Sequence, residues 1–241
     1  MTKRTLSLAG AIGAVAAVAA AGSALGQSQY YPSSCPPPQN TILGTEGNDL
    51  RSGTPLNDLM LAFGGDDIFE GQAGDDCMLM GTGNDRASGG EGDDLIQGEA
   101  GVDRLGGGDG ADRISGGPGN DRITGGDDTD RLRGGSGNDN VKGSFGNDGI
   151  TGGPGRDRLS GGFGNDRLRG GSGADRISGG PGRDRLHGGR GRDRLRGGSG
   201  RDRINSRDGS RDIVNCGSGR DVVIADEADV VARNCEVVRR G

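Results

Sequence analysis

The sequence predicts an all-β solenoid, a fold in which short repeats coil into stacked strands. Glycine supplies 55 of the 241 residues, against an ordinary share of about 7 %. Apolar residues reach only 29 % and aromatic residues 2 %, which is too little for a conventional layered core. A nine-residue period then runs through most of the chain. The glycines do not recur at every third residue, so a collagen helix is excluded and a repeat fold is favoured over disorder.

The amino-terminal segment has the pattern of an export signal. Two basic residues precede an apolar, alanine-rich run over 6–21, and the small residues Ala24 and Gly26 provide a cleavage site. We therefore expect residues 1–26 to be a secretory signal peptide, with an N-terminal membrane anchor as the weaker alternative because the run is short. Nothing later in the sequence is apolar enough to span a bilayer. The mature protein is expected to be secreted into an oxidising space that contains calcium, and to begin with a polar, proline-rich segment over 27–43.

The repeat itself occupies 44–205 as 18 consecutive units of nine residues. Two clear copies are GGPGNDRIT (116–124) and GGSGADRIS (170–178). Position 4 is glycine in 16 units and position 8 is apolar in 17. Position 6 is aspartate in all 18, although aspartate supplies only 29 of the 241 residues, so composition does not explain the pattern. These aspartates are Asp49, Asp58, Asp67, Asp76, Asp85, Asp94, Asp103, Asp112, Asp121, Asp130, Asp139, Asp148, Asp157, Asp166, Asp175, Asp184, Asp193 and Asp202.

The pattern G-G-x-G-x-D-x-U-x, where U is apolar, resembles the RTX or haemolysin-type calcium-binding repeat family. The resemblance covers the 18 units and a nineteenth, CGSGRDVVI (216–224), whose position 6 is Asp221. It implies a right-handed parallel β-roll with two units in each turn, in which G-G-x-G-x-D is a turn and x-U-x a short strand. It also implies Ca²⁺ ions held by the position-6 aspartates and by turn carbonyls of neighbouring rungs. All nineteen aspartates are therefore candidate metal ligands.

Elementary physical chemistry supports the same fold and the same ion. Glycine at positions 1, 2 and 4 permits backbone with positive φ, and strand alternation sends position 8 inward and positions 7 and 9 outward. One buried apolar side chain does not offset the entropy of ordering nine residues, and stacked aspartates repel one another. Calcium between successive turns would relieve both problems. The alternative is that the aspartates only cap turns, but Asn or Ser would do so equally well and neither occurs at position 6.

Charge is distributed unevenly along the repeats. Residues 44–124 contain 17 acidic and 5 basic residues, whereas residues 125–205 contain 11 acidic and 16 basic residues. Position 7 is arginine in eleven units. One explanation is codon bias with weak, exposed ion pairs to the carboxylates. The other is that outward arginine rows bind an acidic polymer such as an anionic polysaccharide. The net charge of −6 argues against nucleic acid as a partner.

The carboxy-terminal segment 206–241 departs from the repeat. The register breaks over 206–215, which is ten residues long, before the nineteenth unit resumes it. We expect this segment to be a cap that covers the end of the solenoid, stapled by a Cys216–Cys235 disulfide. Among the three possible connectivities of four cysteines, this leaves Cys35 paired with Cys77, which stands at an outward position.

These observations predict a function without catalysis. The single histidine, His187, and the absence of C-x-x-C exclude the usual hydrolase, zinc and thiol-redox sites, and no segment is left over for a catalytic domain. We expect a secreted calcium-binding repeat protein that folds on calcium and acts as a structural or binding module. The alternative is an exported protein that binds anionic polysaccharide, or an inhibitor, through the arginine-rich second half.

Overall fold

The computed structural model describes residues 35–240, so the predicted signal peptide and residues 27–34 of the segment before the repeats lie outside it. The described residues form 23 β-strands in two parallel sheets, and none of them is helical. No helix that could cross a membrane occurs among them. The all-β prediction is confirmed.

The strands alternate between the two sheets along the chain. The first sheet holds the twelve odd-numbered strands, which are β1 (Asn40–Leu43), β3 (Asp58–Leu61), β5 (Cys77–Leu79), β7 (Leu95–Gln97), β9 (Arg113–Pro118), β11 (Arg131–Ser136), β13 (Gly149–Pro154), β15 (Arg167–Ser172), β17 (Arg185–Arg190), β19 (Arg203–Asn205), β21 (Val222–Ala225) and β23 (Val237–Arg240). The second sheet holds the eleven even-numbered strands, which are β2 (Leu50–Ser52), β4 (Ile68–Ala73), β6 (Arg86–Glu91), β8 (Arg104–Asp109), β10 (Arg122–Gly126), β12 (Asn140–Phe145), β14 (Arg158–Phe163), β16 (Arg176–Gly182), β18 (Arg194–Gly200), β20 (Ile213–Gly219) and β22 (Val230–Val231).

One turn of the solenoid contains 18 residues, which are two nonapeptide units. Leu132 pairs with Ile150, and Ile150 pairs with Leu168, so equivalent positions stack directly. The structure contains about eleven turns, which is more than the nine that 18 units supply. The difference arises because β1 lies before the first unit and β20 to β23 lie after the eighteenth.

Most strands are longer than the three residues that the resemblance implies. Strand β14, for example, covers positions 7, 8 and 9 of one unit and positions 1, 2 and 3 of the next. The glycines of the pattern continue the ladder, as the pairing of Gly153 with Gly171 shows. Only positions 4 to 6 then remain for the turn between the sheets.

The glycines at positions 2 and 4 have positive φ, with Gly47 as the exception, but those at position 1 do not. Gly162 and Gly164 have φ of 114° and 129°, a region that favours glycine. Gly161, at position 1 of the same unit, lies outside this region. The expectation that position 1 needs glycine for its backbone conformation is therefore wrong. As described below, position 1 needs glycine for space.

The core is a column of three inward positions in each unit. Positions 6, 8 and 1 face the interior, because strand alternation continues without interruption from the aspartate to the glycine. The apolar side chains at position 8 are buried, and Ile123, Ile150 and Leu168 among them are at most 1 % exposed. Positions 7 and 9 face outward and carry the arginines. The aspartates, in contrast, belong to the interior.

The segment predicted to be a cap is made of further strands. Strand β20 pairs with β18 at an offset of 19 residues instead of 18, which absorbs the extra residue of the ten-residue unit. Strands β22 and β23 then extend the two sheets. The predicted disulfide is present: Cys216 in β20 is bonded to Cys235, with their Cα atoms 5.3 Å apart.

The other two cysteines are also buried. Cys77 is 1 % exposed and Cys35 is 7 % exposed. The neighbours of Cys77 in register are Leu59 and Leu95. None of the four cysteines carries a free thiol. The pairing of Cys35 with Cys77 stays a prediction, which peptide mapping without reduction tests.

Candidate metal centre

Two columns of carboxylates run through the interior, one beside each sheet. The first, the even ladder, consists of Asp49, Asp67, Asp85, Asp103, Asp121, Asp139, Asp157, Asp175, Asp193, Asp212 and Asp229. The second, the odd ladder, consists of Asp58, Asp76, Asp94, Asp112, Asp130, Asp148, Asp166, Asp184, Asp202 and Asp221, and it ends at Glu236.

One hydrogen bond repeats along both ladders. The backbone N–H of each aspartate donates to Oδ1 of the aspartate one turn later in the chain. The N···O distance is 2.7 Å from Asp49 to Asp67 and 3.0 Å from Asp112 to Asp130. Oδ1 therefore ties adjacent turns together, which is a capping role across turns.

The second oxygen of the carboxylate has no partner inside the ladders. Oδ2 is buried and accepts no hydrogen bond, and the side chains are at most 1 % exposed. A buried ionised oxygen without a partner is strongly unfavourable. These aspartates are Asp67, Asp76, Asp85, Asp94, Asp103, Asp112, Asp121, Asp130, Asp139, Asp148, Asp157, Asp166, Asp175, Asp184, Asp193, Asp202, Asp212 and Asp221.

Backbone carbonyls lie near both oxygens of ladder aspartates such as Asp121. A Cβ added to Gly116, at position 1, would overlap Oδ2 of Asp121 and lie 2.6 Å from the carbonyl oxygen of Gly134, one turn later. A Cβ added to Gly119, at position 4, would lie 3.1 Å from Oδ1 of Asp121 and would overlap the carbonyl oxygen of Gly101, one turn earlier. Side-chain and backbone oxygens thus converge on space that only glycine leaves open.

This set of donors fits calcium. Among the described residues no group of three or more His, Cys, Asp or Glu side chains converges closely enough to hold a metal ion, so an ion here would need backbone oxygens as well. Calcium takes six to eight oxygen ligands in flexible geometry and accepts backbone carbonyls, whereas zinc prefers nitrogen and sulfur. The unpartnered carboxylate oxygen supplies the negative charge, and the turns supply neutral oxygens.

Burial shifts the ladder carboxylates toward their neutral form. It raises the pKa of Asp94 to about 8 and the pKa values of Asp121 and Asp130 to about 7. Loss of water contact is the largest cause, the backbone N–H bond to Oδ1 opposes it, and neighbouring aspartates of the same ladder raise the pKa further. A divalent cation beside Oδ2 would act in the opposite direction.

The amino-terminal ends of the ladders differ from their middles. Asp49 accepts hydrogen bonds from Thr45 and forms an ion pair with Arg51 at 2.6 Å. Asp58 accepts from Asn40 and Thr54. Both are predicted ligands, but protein groups already satisfy their oxygens. The structure therefore separates these two from the other seventeen candidates.

The structure also adds residues that sequence reasoning missed. Asp212 belongs to the even ladder and has an unpartnered Oδ2, and Asp229 follows it. Both oxygens of Asp229 accept hydrogen bonds, from the Asp212 and Asp226 N–H groups and from Ser206. The signal was present as D-x-U-x, in Asp212-Ile213-Val214-Asn215, but the ten-residue unit hid it. Glu236 ends the odd ladder without any repeat signature.

Position 5 has a capping role of its own. The side-chain oxygen of Asn147 accepts the N–H of Asn165, and that of Asn165 accepts the N–H of Arg183. These bonds run in the opposite direction along the chain from those of the aspartate ladders. Capping and the proposed metal binding are thus separate tasks: position 5 and Oδ1 cap, and Oδ2 is left for a cation.

Comparison with known proteins agrees with this geometry. A family model described as the RTX calcium-binding nonapeptide repeat (four copies) matches most of the chain, in segments 43–78, 81–114, 106–141, 134–168, 142–177, 151–186, 178–213 and 187–223. The chain belongs to this family. None of the curated proteins that were compared matches it.

The outward arginines of this RTX solenoid do not pair with its carboxylates. Among residues 35–240 the one ion pair joins Arg51 to Asp49. Surface ion pairs therefore do not account for the arginines among these residues, and the codon-bias part of that explanation stays a hypothesis. Strand alternation separates the two kinds of side chain, because position 6 faces the interior while position 7 faces solvent.

Proposed function

We propose that this chain is a secreted protein that binds calcium through its ladder aspartates, folds on binding it, and then serves as a structural or binding module. The observation that carries the proposal is the set of buried Oδ2 atoms without partners, which repeats at every turn. Family membership supports the choice of ion. The candidate ligands are the aspartates of the two ladders, with Asp212 added to the nineteen predicted from the sequence and with Asp49 and Asp58 the weakest candidates.

Folding and binding are coupled in this proposal. The core contains one apolar side chain and one carboxylate per unit, so the metal-free fold buries charge together with its few apolar groups. Cation binding neutralises that charge and joins the oxygens of adjacent turns. Because the liganding geometry exists only in the folded chain, binding free energy becomes folding free energy.

Several features support a location outside the cell. The Cys216–Cys235 disulfide suits an oxidising compartment. The export signal expected over residues 1–26 has the same implication. Extracellular calcium is also the abundant source that many sites of moderate affinity would need.

Burial of the site supports a role without catalysis. Every aspartate with an unpartnered Oδ2 is at most 1 % exposed, which disfavours contact with a substrate. Outward arginines without acidic partners support the alternative function, in which the protein binds an anionic polysaccharide. The two functions are compatible, because a roll folded by calcium would present those arginines.

Calcium titration of the chain from residue 27 onward tests the proposal. Circular dichroism and gel filtration should show an expanded chain with little β-structure in chelator, and a compact β-rich chain at millimolar calcium. Chelator added afterwards should reverse the change. A compact, β-rich signal that is the same with and without calcium would overturn the proposal.

A further inference from the structure

The outer face of the odd-numbered sheet carries stacked arginines in the second half of the chain. Arg167 pairs in register with Arg185, and Arg185 with Arg203, all at position 7. Arg169, at position 9, lies on the same face. Like charges at directly paired positions repel. With no acidic partner for these side chains among the described residues, the face attracts an anion that would relieve the repulsion.

A groove runs along the edge of this sheet, where the turns enter the odd-numbered strands. Its volume is about 590 Å³. Arg183 and Arg201, at position 5, line it together with the position-7 row. Position 7 of one rung is Gly149, so the arginine row is interrupted there. Four ladder aspartates, Asp130, Asp148, Asp166 and Asp184, also line the groove. These carboxylates are buried, whereas the arginines are exposed and meet an arriving ligand first.

An exposed aromatic pair lies on the same turns. The rings of Phe145 and Phe163 stack with centroids 5.3 Å apart and planes 8° apart, and the two residues are 54 % and 57 % exposed. Each stands two residues before a groove asparagine, Asn147 or Asn165. Exposed apolar groups next to convergent polar groups are typical of binding surfaces. The opposite edge of the solenoid has no such pair among the described residues.

We propose that the turns around Phe145 and Phe163, together with the arginine row of the odd-numbered sheet, bind a linear acidic polysaccharide. The polymer would lie along the solenoid axis. Its carboxylate or sulfate groups would meet the guanidinium groups, which bind such groups in bidentate geometry, and one sugar face would pack on the phenylalanine stack. This inference rests on the proposed function, because the face exists only in the folded roll.

The spacing of the charges favours a polysaccharide over nucleic acid. Arginines of successive rungs are about 4.8 Å apart, whereas phosphates of one B-DNA strand advance by about 3.4 Å. The first half of the repeats, with 17 acidic and 5 basic residues, would also repel a long polyphosphate. A short polymer with one anion per disaccharide can instead lie on the second half alone.

Hyaluronan is a suitable probe, because it is linear and carries one carboxylate per disaccharide. Binding is measured by calorimetry in saturating calcium, with folding verified by circular dichroism in the same sample. Neutral dextran and oligo-dT are the comparison polymers. The test variant is the triple change Arg167→Gln, Arg185→Gln and Arg203→Gln.

The matched control changes the same position on the opposite sheet. Arg158, Arg176 and Arg194 are paired in register on the even-numbered strands, and their change to Gln removes the same charge. We expect the odd-sheet triple to weaken hyaluronan binding tenfold or more and the even-sheet triple to weaken it less than threefold. A further variant, Phe145→Ser with Phe163→Ser, should weaken it severalfold, and serine stands at this position in other units.

Each of three outcomes would overturn the inference while the roll is folded. These are equal losses in the two arginine variants, tighter binding of oligo-dT than of hyaluronan, and no difference between hyaluronan and dextran. Failure of calcium to fold the chain would instead refute the proposed function, and circular dichroism distinguishes the two cases.

Discussion

The backbone N–H of Asp94 donates to Oδ1 of Asp112 at 2.9 Å, while Oδ2 of both carboxylates stays buried without a partner. Each of these side chains therefore has two roles. Its first oxygen joins adjacent turns through a bond that needs no metal. Its second oxygen makes the turn unfavourable until a cation arrives. The dependence on calcium that we propose is a consequence of this division.

Magnesium should not replace calcium. The turn oxygens belong to glycine-rich backbone and to carboxylates of different turns, which suits a large ion with loose coordination. Magnesium requires a compact octahedron and releases its water reluctantly. We expect millimolar magnesium to leave the chain expanded by gel filtration under conditions in which calcium compacts it. Equal folding by the two ions would indicate charge screening instead of coordination.

Replacing Asp94 by Asn should separate the two roles of the aspartate. The Oδ1 acceptor is kept, but the buried charge is lost. We expect calorimetry to show fewer bound ions and a severalfold higher calcium concentration at half-folding. The metal-free fold should gain about 1–3 kcal/mol, because an unpaired buried charge is removed.

Asp93→Asn is the matched control for this variant. Asp93 is the preceding residue, is exposed, and accepts the N–H of Ala111 through an oxygen that Asn also provides. The same formal charge is removed from the same turn. Similar effects of the two changes would show that general charge, and not the ladder oxygen, controls calcium binding.

Acid should partly replace calcium in the metal-free protein. Burial raises the pKa of Asp94 to about 8 and that of Asp175 to about 7 in the folded chain, whereas an unfolded aspartate titrates near 3.9. The folded chain therefore binds more protons than the unfolded chain between these values, so its stability is fully present below about pH 4 and falls as pH rises through 6–8. In chelator, circular dichroism should show more β-structure at pH 5 than at pH 8.

Protons and calcium compete for the same oxygens, so the pH dependence should reverse when calcium is present. Calcium affinity should fall as pH is lowered below 7. A β-signal in chelator that increases with pH would contradict the raised pKa values.

Gly107→Ala should be strongly destabilising. The new Cβ would overlap Oδ2 of Asp112 and would lie 2.8 Å from the carbonyl oxygen of Gly125. Overpacking of this kind costs about 1–3 kcal/mol, and here it also disturbs a candidate metal site. Gly106→Ala is the neighbouring control, because nothing lies within 4 Å of its added Cβ. Thermal unfolding in calcium should show a large decrease for the first variant and a change within about 0.5 kcal/mol for the second.

Removing the carboxy-terminal disulfide should loosen the last turns. The bond joins β20 to the segment between β22 and β23. A disulfide that closes a loop of this length contributes about 3 kcal/mol. We expect the double change of Cys216 and Cys235 to Ser to lower stability by about that amount. Hydrogen exchange should increase in β20 to β23 and stay unchanged in β8 to β14. Uniform loss of protection would mean that the whole roll unfolds as one unit.

The nine-residue period predicted a repeated β-fold, and its resemblance to the RTX family implied the parallel sheets and the 18-residue turn. Each unit contributes one strand with one inward apolar side chain. The two units of a turn supply one strand to each sheet, and their apolar side chains meet in the core between the sheets. Ile123 and Leu132, from consecutive units, illustrate this, since both are nearly inaccessible on opposite sheets. The Cys216–Cys235 pair was also predictable, because it brackets the departure from the repeat.

The sequence analysis failed where strand alternation extends beyond the predicted strand. Asp121 and its equivalents lie outside the strands, as predicted, but alternation continued back from the strand turns their side chains inward, which the three-residue strand x-U-x did not indicate. Gly116 was assigned a conformational role although it is needed for space. The Phe145–Phe163 stack was missed because each ring is unremarkable in its own unit, and only the 18-residue turn brings them together.

The 18-residue turn has a consequence for how this molecule can change length. Consecutive units belong to opposite sheets. Loss of a single nonapeptide would preserve the contacts between neighbouring units, yet it would move every later unit to the opposite sheet. The rows containing Arg167 and Arg158 would exchange sides relative to everything before the deletion. Loss of two nonapeptides would shorten the roll and leave each face unchanged. Variants of different length that keep the same residues on each face should therefore differ by even numbers of units. The constraint acts on whether the number of repeats is odd or even, more than on the number itself.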